Sequence, residues 1–394
     1  MEQNKLIKNI LYVTFAIIIA LTGFYGGVIT ERTTSLNGKF ITQAMRIEKL
    51  SRLIDENYYF KDKIDKDKAF DTSMIGYLSA LQDPFSYYLD ESDLTTFNED
   101  ISGDYVGIGV EIVPDTNNII TITGVFMGGA AEKVGIKAGD KLIKVYGETV
   151  TGDMLNAVVE KIRGLPGGEV NLDILRPDGT EQNLTLIRQH ITIERVITKN
   201  LDNNIGYVRL TKFDENTADE FIRKMDTFDF SQMKGLIVDV RSNPGGMLTS
   251  VIGVADYLMP EGIIATAKYS DGKEESYKSD AKCVTVPIAV LINGGSASAS
   301  EFLAGGLRDN NQALLIGENS LGKGTVGQPF KLDSKTSVVL TIGEYYLPSG
   351  KSIHKVGLEP DIEVLLENVD ISLSLLPDSE DNQLQQAISA LLAQ

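Results

Sequence analysis

Cysteine, histidine and tryptophan are scarce in this chain of 394 residues, which has one Cys, two His and no Trp. Because Cys283 is the only cysteine, no disulfide can form within the chain. Common zinc sites draw most of their ligands from Cys and His, and too few of these are present to build one. The sequence therefore predicts neither a metal centre nor a bound cofactor.

Positive charge is also in short supply. Lys and Arg number 37 against 55 Asp and Glu, so the net charge is −18. A nucleic-acid-binding protein needs clustered Lys and Arg for phosphate contacts, and we therefore expect no nucleic-acid partner. Apolar residues make up 42% of the chain, which is enough for packed cores, and the length predicts two or three modules.

One long apolar run lies near the N-terminus. The stretch from Ile10 to Ile29 carries no charge and is long enough for a helix to cross a bilayer. Lys5 and Lys8 precede it and favour a cytoplasmic N-terminus, so residues after Glu31 are expected outside the cytoplasm. A cleaved signal peptide is the alternative, but residues 23–27 offer no clear small-x-small cleavage site. The sequence predicts an uncleaved membrane anchor.

A small helical region should follow the anchor. Apolar spacing predicts an amphipathic helix over Phe40 to Tyr59. A second helix is expected over Lys66 to Leu81, ending at Asp83-Pro84, where proline stops it. This region has no catalytic pattern of its own. Packing or homodimerisation is its expected role.

From about Gly103 to Arg188, short strands and glycine-rich turns predict a different module, with a first strand over Val106 to Val113. A short helix at 130–135 and an Ala-Gly-Asp turn at 138–140 follow, an order that resembles a PDZ domain. Such domains bind a free C-terminus as an added strand and hold its carboxylate with backbone N–H groups. The expected peptide-binding residues are Val106, Gly107, Ile108, Gly109 and Val110. A plain hairpin bend at the two glycines is the alternative.

Strands and helices alternate from Asn204 onward, which predicts an α/β layer architecture. Three glycine-flanked segments come directly after predicted strands, where α/β sheets place their sites. The first is Asp239 to Gly246, whose consecutive glycines leave backbone N–H groups free for an anion or an oxyanion. A plain strand-to-helix turn explains this segment equally well. A packing helix is expected over Asp381 to Leu392.

The second segment is the serine run Gly295 to Glu301, which opens a helix. A nucleophile at a helix N-terminus gains a nearby N–H donor and the positive end of the helix dipole. Ser298 to Glu301 is also a capping box, so Ser298 could serve only as an N-cap. Spacing alone leaves Ser296, Ser298 and Ser300 as candidates.

The third segment, Gly317 to Thr325, nearly fits the phosphate-binding P-loop. However, Gly324 stands where the motif needs Ser or Thr, and the next residues predict a strand rather than a helix. Lys323 offers another role, because a buried amine has a lowered pKa and can take a proton from a serine hydroxyl. A solvated loop lysine is the ordinary alternative.

These three segments, behind a PDZ-like module and together with Asp83-Pro84-Phe85-Ser86, resemble the carboxyl-terminal processing proteases. The resemblance implies a crotonase-like α/β core, Ser298 as nucleophile, Lys323 as general base, and an oxyanion hole from the N–H groups of Gly245 and Ala299. The family usually has glutamine four residues beyond the lysine, where this chain has Gly327. Gln328 is the nearest candidate for that third role.

The expected protein is an extracytoplasmic serine endopeptidase that takes peptide or protein substrates with accessible apolar C-termini and cleaves through an acyl-enzyme. A noncatalytic PDZ-containing scaffold on the same fold is one alternative. A protease that uses His354 as its base is another. The expected domains are a stub and anchor (1–30), a helical region (31–98), a PDZ-like domain (99–190), a protease core (191–366) and a helical tail (367–394).

Overall fold

The structure is a computed structural model of the chain. It describes residues 38–394 apart from 103, 116, 127, 193, 281–282, 369–372 and 374–375. The chain divides into two units, one ending at Ser73 and the other running from Met74 to Gln394. The predicted membrane helix over residues 10–29 lies outside the described residues and stays a prediction. Within the described part, no helix is both long and apolar enough to cross a membrane.

The structure has helices where the sequence predicts them in the N-terminal region, after the serine run and in the tail, and also one over Glu91–Ser102 that was not predicted. In chain order they are α1 (Gly38–Asn57), α2 (Lys66–Ser79), α3 (Glu91–Ser102), α4 (Ala130–Lys133), α5 (Leu155–Ile162), α6 (Thr217–Met225), α7 (Leu248–Leu258), α8 (Ala299–Asp309) and α9 (Asn382–Leu392). The predicted helices at 40–59 and 66–81 are confirmed with small shifts in their ends. Homodimerisation of this helical region stays a prediction.

The strands of the described residues form four sheets. In chain order they are β1 (Tyr87–Leu89), β2 (Asp104–Gly107), β3 (Val110–Pro114), β4 (Ile120–Val125), β5 (Lys141–Val145), β6 (Glu148–Thr149), β7 (Glu169–Leu175), β8 (Glu181–Ile187), β9 (Gln189–Thr192), β10 (Val196–Leu201), β11 (Ile205–Leu210), β12 (Gly235–Asp239), β13 (Gly262–Tyr269), β14 (Glu274–Ser279), β15 (Ile288–Ile292), β16 (Ala313–Gly317), β17 (Thr325–Lys331), β18 (Ser337–Tyr346) and β19 (Ile362–Glu363).

The central sheet has the order β10-β11-β12-β15-β16-β19 and is parallel except for β10. Every residue of β12 and β15 is buried, as expected for strands covered on both faces. Side chains of α6, α7 and α8 pack on one face in a single apolar cluster. Leu384, Ala387 and Leu391 of α9 cover the other face. The predicted α/β layer architecture is confirmed.

A buried ion cluster fastens α9 to the sheet. Arg241, just beyond β12, is 2% exposed and donates to the carboxylates of Asp239 and Asp381. Asp381 also caps α9 by accepting from the N–H of Leu384. A buried guanidinium needs such partners, because an unpaired charge in the interior is costly. The predicted tail helix is therefore an integral part of the core.

A second sheet lies against this core. Long strand β18 pairs with β1, β13 and β17, and β14 extends the sheet beyond β13. Ile264 and Ala267 of β13 and Tyr345 of β18 belong to the same apolar cluster as α8. The segment before the PDZ-like region thus reaches the α/β core through β1.

The PDZ-like region contains the sheet β3-β4-β5-β7-β8, with β6 on β5, and the separate pair β2-β9. The single strand predicted over 106–113 is wrong, because β2 and β3 are separate strands with different partners. Gly109 lies between them at φ +82°, a left-handed conformation that favours glycine and ends the extended run.

Candidate active site

Three loops meet at one edge of the central sheet. They follow β12, β15 and β16, which lie side by side and run parallel, so their carboxyl ends fall at the same edge. The loops carry Gly245, Ser298 and Lys323 respectively. The prediction that three glycine-flanked segments follow strand ends is confirmed, and the structure adds that the three strands are neighbours.

Ser298 is the residue before the first turn of α8 and has an unusual backbone. Its φ is 52° and its ψ is −114°, a combination that L-residues rarely adopt. Its N–H donates to Oε2 of Glu301 at 2.8 Å. The capping relationship expected from the sequence is therefore present, and it holds Ser298 in a strained turn.

The three candidate serines have different surroundings. Ser296 and Ser300 are fully buried, and their hydroxyls donate to the carbonyl oxygens of Val240 and Asn243 at 2.8 and 2.9 Å. Those two serines join the loop after β12 to the loop after β15. Ser298 is half-buried, so of the three it is the serine with exposed surface.

Gly245 touches the Ser298 turn closely. Its φ is +99°, and a Cβ at this position would lie 2.7 Å from the oxygen of Ala297 and 2.9 Å from both the nitrogen of Ala299 and the Cβ of Ser298. No side chain fits in that space. The loop after β12 requires glycine here, both for its conformation and for the contact.

Gly245 and Ala299, whose N–H groups are the predicted oxyanion donors, both lie beside Ser298. Ala299 is the first residue of α8, so its N–H has no acceptor within the helix. The N–H of Gly245 donates to Oδ1 of Asn243 at 2.9 Å in this structure. An oxyanion bound at Gly245 therefore has to share or displace that acceptor.

The Glu301 side chain links the serine loop to the lysine loop. This carboxylate is fully buried, and its Oε2 accepts from the N–H groups of Ser298 and Lys323 at 2.8 and 2.9 Å. Its Oε1 accepts from the N–H of Gly322 at 2.8 Å and from the hydroxyl of Ser320. Hydrogen bonds to a charged acceptor are stronger than neutral ones, so the two loops are held in fixed register. No hydrogen bond joins the Ser298 and Lys323 side chains themselves among the described residues.

Lys323 has the environment of a base rather than of a surface lysine. Its Nζ lies 5.4 Å from the ring centre of Phe85. Burial lowers the pKa of Lys323 below its ordinary value, against the carboxylates of Asp83 and Glu301, which act to raise it. A lysine with a lowered pKa is a better proton acceptor at neutral pH than a solvated one.

The residues after Lys323 form strand β17 from Thr325 to Lys331, not a helix. The prediction that this segment is not a P-loop is thereby confirmed, since that motif needs a following helix. Gly327 pairs with Thr341 next to a β-bulge, and Gln328 pairs with Leu340 with its side chain exposed. The structure describes no hydrogen bond between Gln328 and Lys323, so a third role for Gln328 stays a prediction.

The two histidines lie in different places. His190 is in β9, paired with β2 of the PDZ-like region. His354 lies close to the lysine loop, because a Cβ on Gly324 would be 2.7 Å from its backbone nitrogen. The ring of His354 also meets the ring of Phe85 edge-on, with centroids 5.9 Å apart. His354 is therefore near the site, although it contacts Phe85 rather than Ser298.

Comparison with known proteins identifies the family. The family model for Peptidase family S41 matches residues 204–364, and that for the PDZ domain matches residues 95–175. Carboxy-terminal processing protease CtpA of Bacillus subtilis (strain 168) is 34% identical over 372 residues, which cover 93% of this chain and 78% of the relative. This chain belongs to peptidase family S41.

The S41 peptidase is also 34% identical to carboxy-terminal processing protease CtpB of the same organism, over 81% of its own length and 67% of the relative's. Among solved structures, the photosystem II D1 C-terminal processing protease matches with a TM-score of 0.55 and 28% identity, covering 84% of this chain and 94% of that one. The chain is thus a serine-type peptidase with a mixed α/β fold and a PDZ domain, as the motifs indicated.

The PDZ domain of the peptidase carries a groove of about 330 Å³. All five residues predicted to bind peptide line it, together with Val159 and Ile162 of α5 on the opposite side. A groove between a strand and a helix is the geometry in which PDZ domains add a peptide strand. Peptide binding by these five residues stays a prediction, but the structure brings them together.

A polar contact joins this PDZ domain to the peptidase core. Lys212, just after β11, donates from Nζ to the hydroxyl of Tyr105 at 2.9 Å and lies 4.7 Å from the centre of its ring. The next residue, Phe213, donates its N–H to the oxygen of Gly245 at 3.0 Å. Tyr105 lines the peptide groove, so one short path runs from the groove to the glycine beside Ser298.

Several of these contacts do not follow from the sequence. Spacing shows that Glu301 can cap Ser298, but not that the same carboxylate holds Lys323. The Asp83-Pro84-Phe85-Ser86 motif is visible, but its approach to a lysine more than two hundred residues away depends on the tertiary fold.

Proposed function

We propose that this S41 peptidase is a membrane-anchored, extracytoplasmic endopeptidase that captures apolar or unstructured C-termini in its PDZ groove and cleaves the chain upstream. Ser298 is the nucleophile and Lys323 is the general base. The N–H groups of Gly245 and Ala299 form the oxyanion hole. The relatives named above act as carboxy-terminal processing proteases by name, which supports this substrate class.

The reaction follows the acyl-enzyme route. Oγ of Ser298 attacks the scissile carbonyl carbon while Nζ of Lys323 takes the hydroxyl proton, and the carbonyl oxygen becomes an oxyanion. Collapse breaks the C–N bond, and the ammonium of Lys323 returns its proton to the leaving amine. Water then attacks the ester with Lys323 again as base, releasing the new C-terminus and restoring Ser298. Each oxyanion donor is expected to lower the barrier by about 3 kcal/mol.

The observation that carries this proposal is the buried Glu301 carboxylate that holds the backbones of Ser298 and Lys323 together. The strained backbone of Ser298 and the lowered pKa of Lys323 add to it, because both are features of an activated nucleophile and its base. Burial of the Ser296 and Ser300 hydroxyls in backbone hydrogen bonds leaves Ser298 for the chemistry.

The test is cleavage of an unstructured, fluorophore-quencher peptide with an apolar C-terminal residue by the full-length protein in detergent. Wild type is expected to cleave it, and Ser298→Ala and Lys323→Ala to lose at least about a hundredfold in kcat. A covalent acyl-enzyme should accumulate on a slowly hydrolysed ester substrate with wild type but not with Ser298→Ala. Full activity of either variant would remove that residue from the mechanism, and binding without cleavage by wild type would favour a scaffold.

His354 is the base to exclude, since it lies against Phe85 near the site. His354→Ala is expected to keep most of the activity that Lys323→Ala loses. If instead His354→Ala is inactive and Lys323→Ala is active, His354 is the base. Both variants leave Glu301 and its four donors unchanged, so the comparison is matched.

The location is a separate element of the proposal and rests on the apolar run at 10–29 behind Lys5 and Lys8. Protease added to intact protoplasts should digest the chain while a cytosolic marker survives. The chain should also stay with membranes after a carbonate wash. Release by that wash would contradict the anchor, and resistance to added protease would contradict the orientation.

A further inference from the structure

The strand that follows Lys323 supplies nothing to orient the amine of this lysine. Gly327, four residues on, has no side chain, and the Gln328 side chain is exposed. A general base works only if it is held within reach of the proton it takes. Some other part of the chain must therefore fix Lys323 Nζ.

The turn from Asp83 to Ser86 lies at the right place. Oδ1 of Asp83 accepts from the N–H of Phe85 at 3.0 Å, and Oδ2 accepts from the hydroxyl of Ser86 at 2.7 Å. The Ser86 oxygen in turn accepts from the N–H of Thr341 at 2.9 Å. Thr341 is the residue of β18 that pairs with Gly327. The turn is therefore hydrogen-bonded to the sheet next to the position that lacks a side chain.

Phe85 connects this turn to the lysine. Its ring centre lies 5.4 Å from Nζ of Lys323, within the range of a cation–π contact. The ring of His354 meets the Phe85 ring edge-on, with the two ring centres 5.9 Å apart. The ring keeps water from one side of the amine, and the face it presents favours the ammonium over a bare apolar wall.

We propose that Asp83 is a positioning residue for Lys323: its carboxylate fixes Phe85 against Nζ and supplies the negative charge that stabilises the ammonium formed when Lys323 takes the Ser298 proton. This inference rests on the proposed function, in which Lys323 is the base. Asp83 here has the role that an aspartate has in a conventional triad, but it lies more than two hundred residues earlier in the chain and acts partly through an aromatic ring.

The charges around the site agree with this role. Burial acts to raise the pKa of Asp83, but hydrogen bonds from Thr341, Ser86 and Phe85, together with the nearby His354, hold it below its ordinary value. Asp83 is therefore ionised at neutral pH. Two carboxylates, Asp83 and Glu301, act to raise the pKa of Lys323, against the larger effect of burial. Glu301 accepts from four donors in the two loops, and Asp83 accepts from the N–H of Phe85, whose ring lies against the amine.

The test removes the charge while keeping the turn. Asp83→Asn keeps a side-chain oxygen for the Phe85 N–H, and Asp83→Ser keeps a smaller one. The variant whose Tm equals that of wild type is the one used for the kinetic comparison. Its kcat and KM for the quenched peptide are measured as functions of pH, with the full-length protein in detergent. We expect kcat to fall about ten- to a hundredfold with KM nearly unchanged. The rising limb of kcat/KM should move to lower pH, because loss of a negative charge lowers the pKa of Lys323.

Controls separate this role from support of the fold. Ser86→Ala removes a hydrogen bond of the turn but no charge. It should therefore lower Tm without moving the rising limb of kcat/KM along the pH axis. Asp83→Glu should restore the limb toward its wild-type pH. The inference is overturned if the rising limb of kcat/KM in Asp83→Asn or Asp83→Ser stays at the wild-type pH. It is also overturned if these variants change KM but not kcat. Ser298→Ala and Lys323→Ala are assayed alongside. If both are inactive, a negative result for Asp83 leaves the proposed function intact, whereas activity of these two variants would mean that the proposed function itself fails.

Discussion

The backbone N–H groups of Ser298 and Lys323 converge on one atom, Oε2 of the buried Glu301 side chain, at 2.8 and 2.9 Å. The two residues come from different loops, after β15 and after β16. A single buried charge therefore sets the distance between the proposed nucleophile and the proposed base. This arrangement is stable because all the donors around the carboxylate are satisfied together.

Replacing Glu301 with glutamine should break this arrangement. The amide nitrogen cannot accept, so at least one N–H of the two loops loses its partner in a buried place. We expect a loss of about 1–3 kcal/mol in the free energy of unfolding and about a hundredfold in kcat. Urea unfolding and peptide cleavage measure the two effects. Glu261→Gln, at an exposed glutamate, is the control, and an equal effect of both variants would count against the role of Glu301.

The strain at Ser298 predicts a difference between two inactive variants. Ser298→Ala keeps the φ of 52° and its cost, whereas Ser298→Gly adopts it freely. Glycine also loses more entropy on folding, which offsets part of the gain. We expect Ser298→Gly to be more stable than Ser298→Ala by about 1 kcal/mol in thermal unfolding. Equal stability would show that the turn is relaxed.

Gly245 should not tolerate replacement by alanine, whereas a glycine with a similar backbone conformation in an open place should. Gly245→Ala places a Cβ 2.9 Å from the nitrogen of Ala299, beside the proposed oxyanion hole. Gly272 has a similar φ of +83°, and a Cβ there would meet nothing within 4 Å, so Gly272→Ala carries only the backbone cost. We expect Gly245→Ala to lose at least about a hundredfold in kcat and Gly272→Ala to keep it. Comparable activity of the two variants would contradict the close contact.

Much of the core was open to prediction because it depends on local patterns. β12 and β15 are buried on both faces, and strand-end loops in a parallel sheet must meet at one edge, so apolar runs and glycine positions were enough to place the three segments. By contrast, β14 consists mostly of charged and polar residues, and its place beside β13 is set by pairing rather than by an apolar pattern. The sequence therefore shows the central sheet far better than the second one.

The site divides in the same way. Ser298 could not be separated from Ser296 and Ser300 by spacing, because the difference lies in which hydroxyls reach a buried carbonyl. Likewise, the occupied N–H of Gly245 depends on a side-chain rotamer of Asn243. Long-range contacts such as Phe85 with Lys323 require the fold itself. Residue types and strand ends can be predicted, whereas hydrogen-bond partners cannot.

The lowered pKa of Lys323 has a consequence for stability. A lysine whose pKa is lower in the folded state binds fewer protons there than when unfolded, so stability rises with pH between the folded pKa and the ordinary value of 10.5. Below that window the buried charge costs stability. Lys323→Met is therefore expected to be inactive but more stable than wild type at neutral pH. The difference should shrink as pH rises toward 10.5 in urea unfolding. A variant less stable than wild type at neutral pH would contradict the direction of the shift.

The contact of Lys212 with Tyr105 predicts coupling between the PDZ groove and the site. Lys212→Met removes the charge and the hydrogen bond but keeps an apolar chain of similar length, and Phe213 still donates to Gly245. The wild-type enzyme is expected to cleave a peptide with a free C-terminal carboxylate faster than its C-terminally amidated form.

Lys212→Met should reduce this preference by about 2- to 30-fold, the range of a coupling of roughly 0.5–2 kcal/mol. The measurement is the ratio of kcat/KM for the free and amidated peptides. Lys234→Met, at an exposed lysine on the same domain, is the matched control. A preference lost equally in both variants would reflect general damage. If Lys212→Met leaves the preference unchanged, the groove selects substrates without using this contact. The reason is that removing a contact that couples two sites must change the ratio of kcat/KM for the free and amidated peptides.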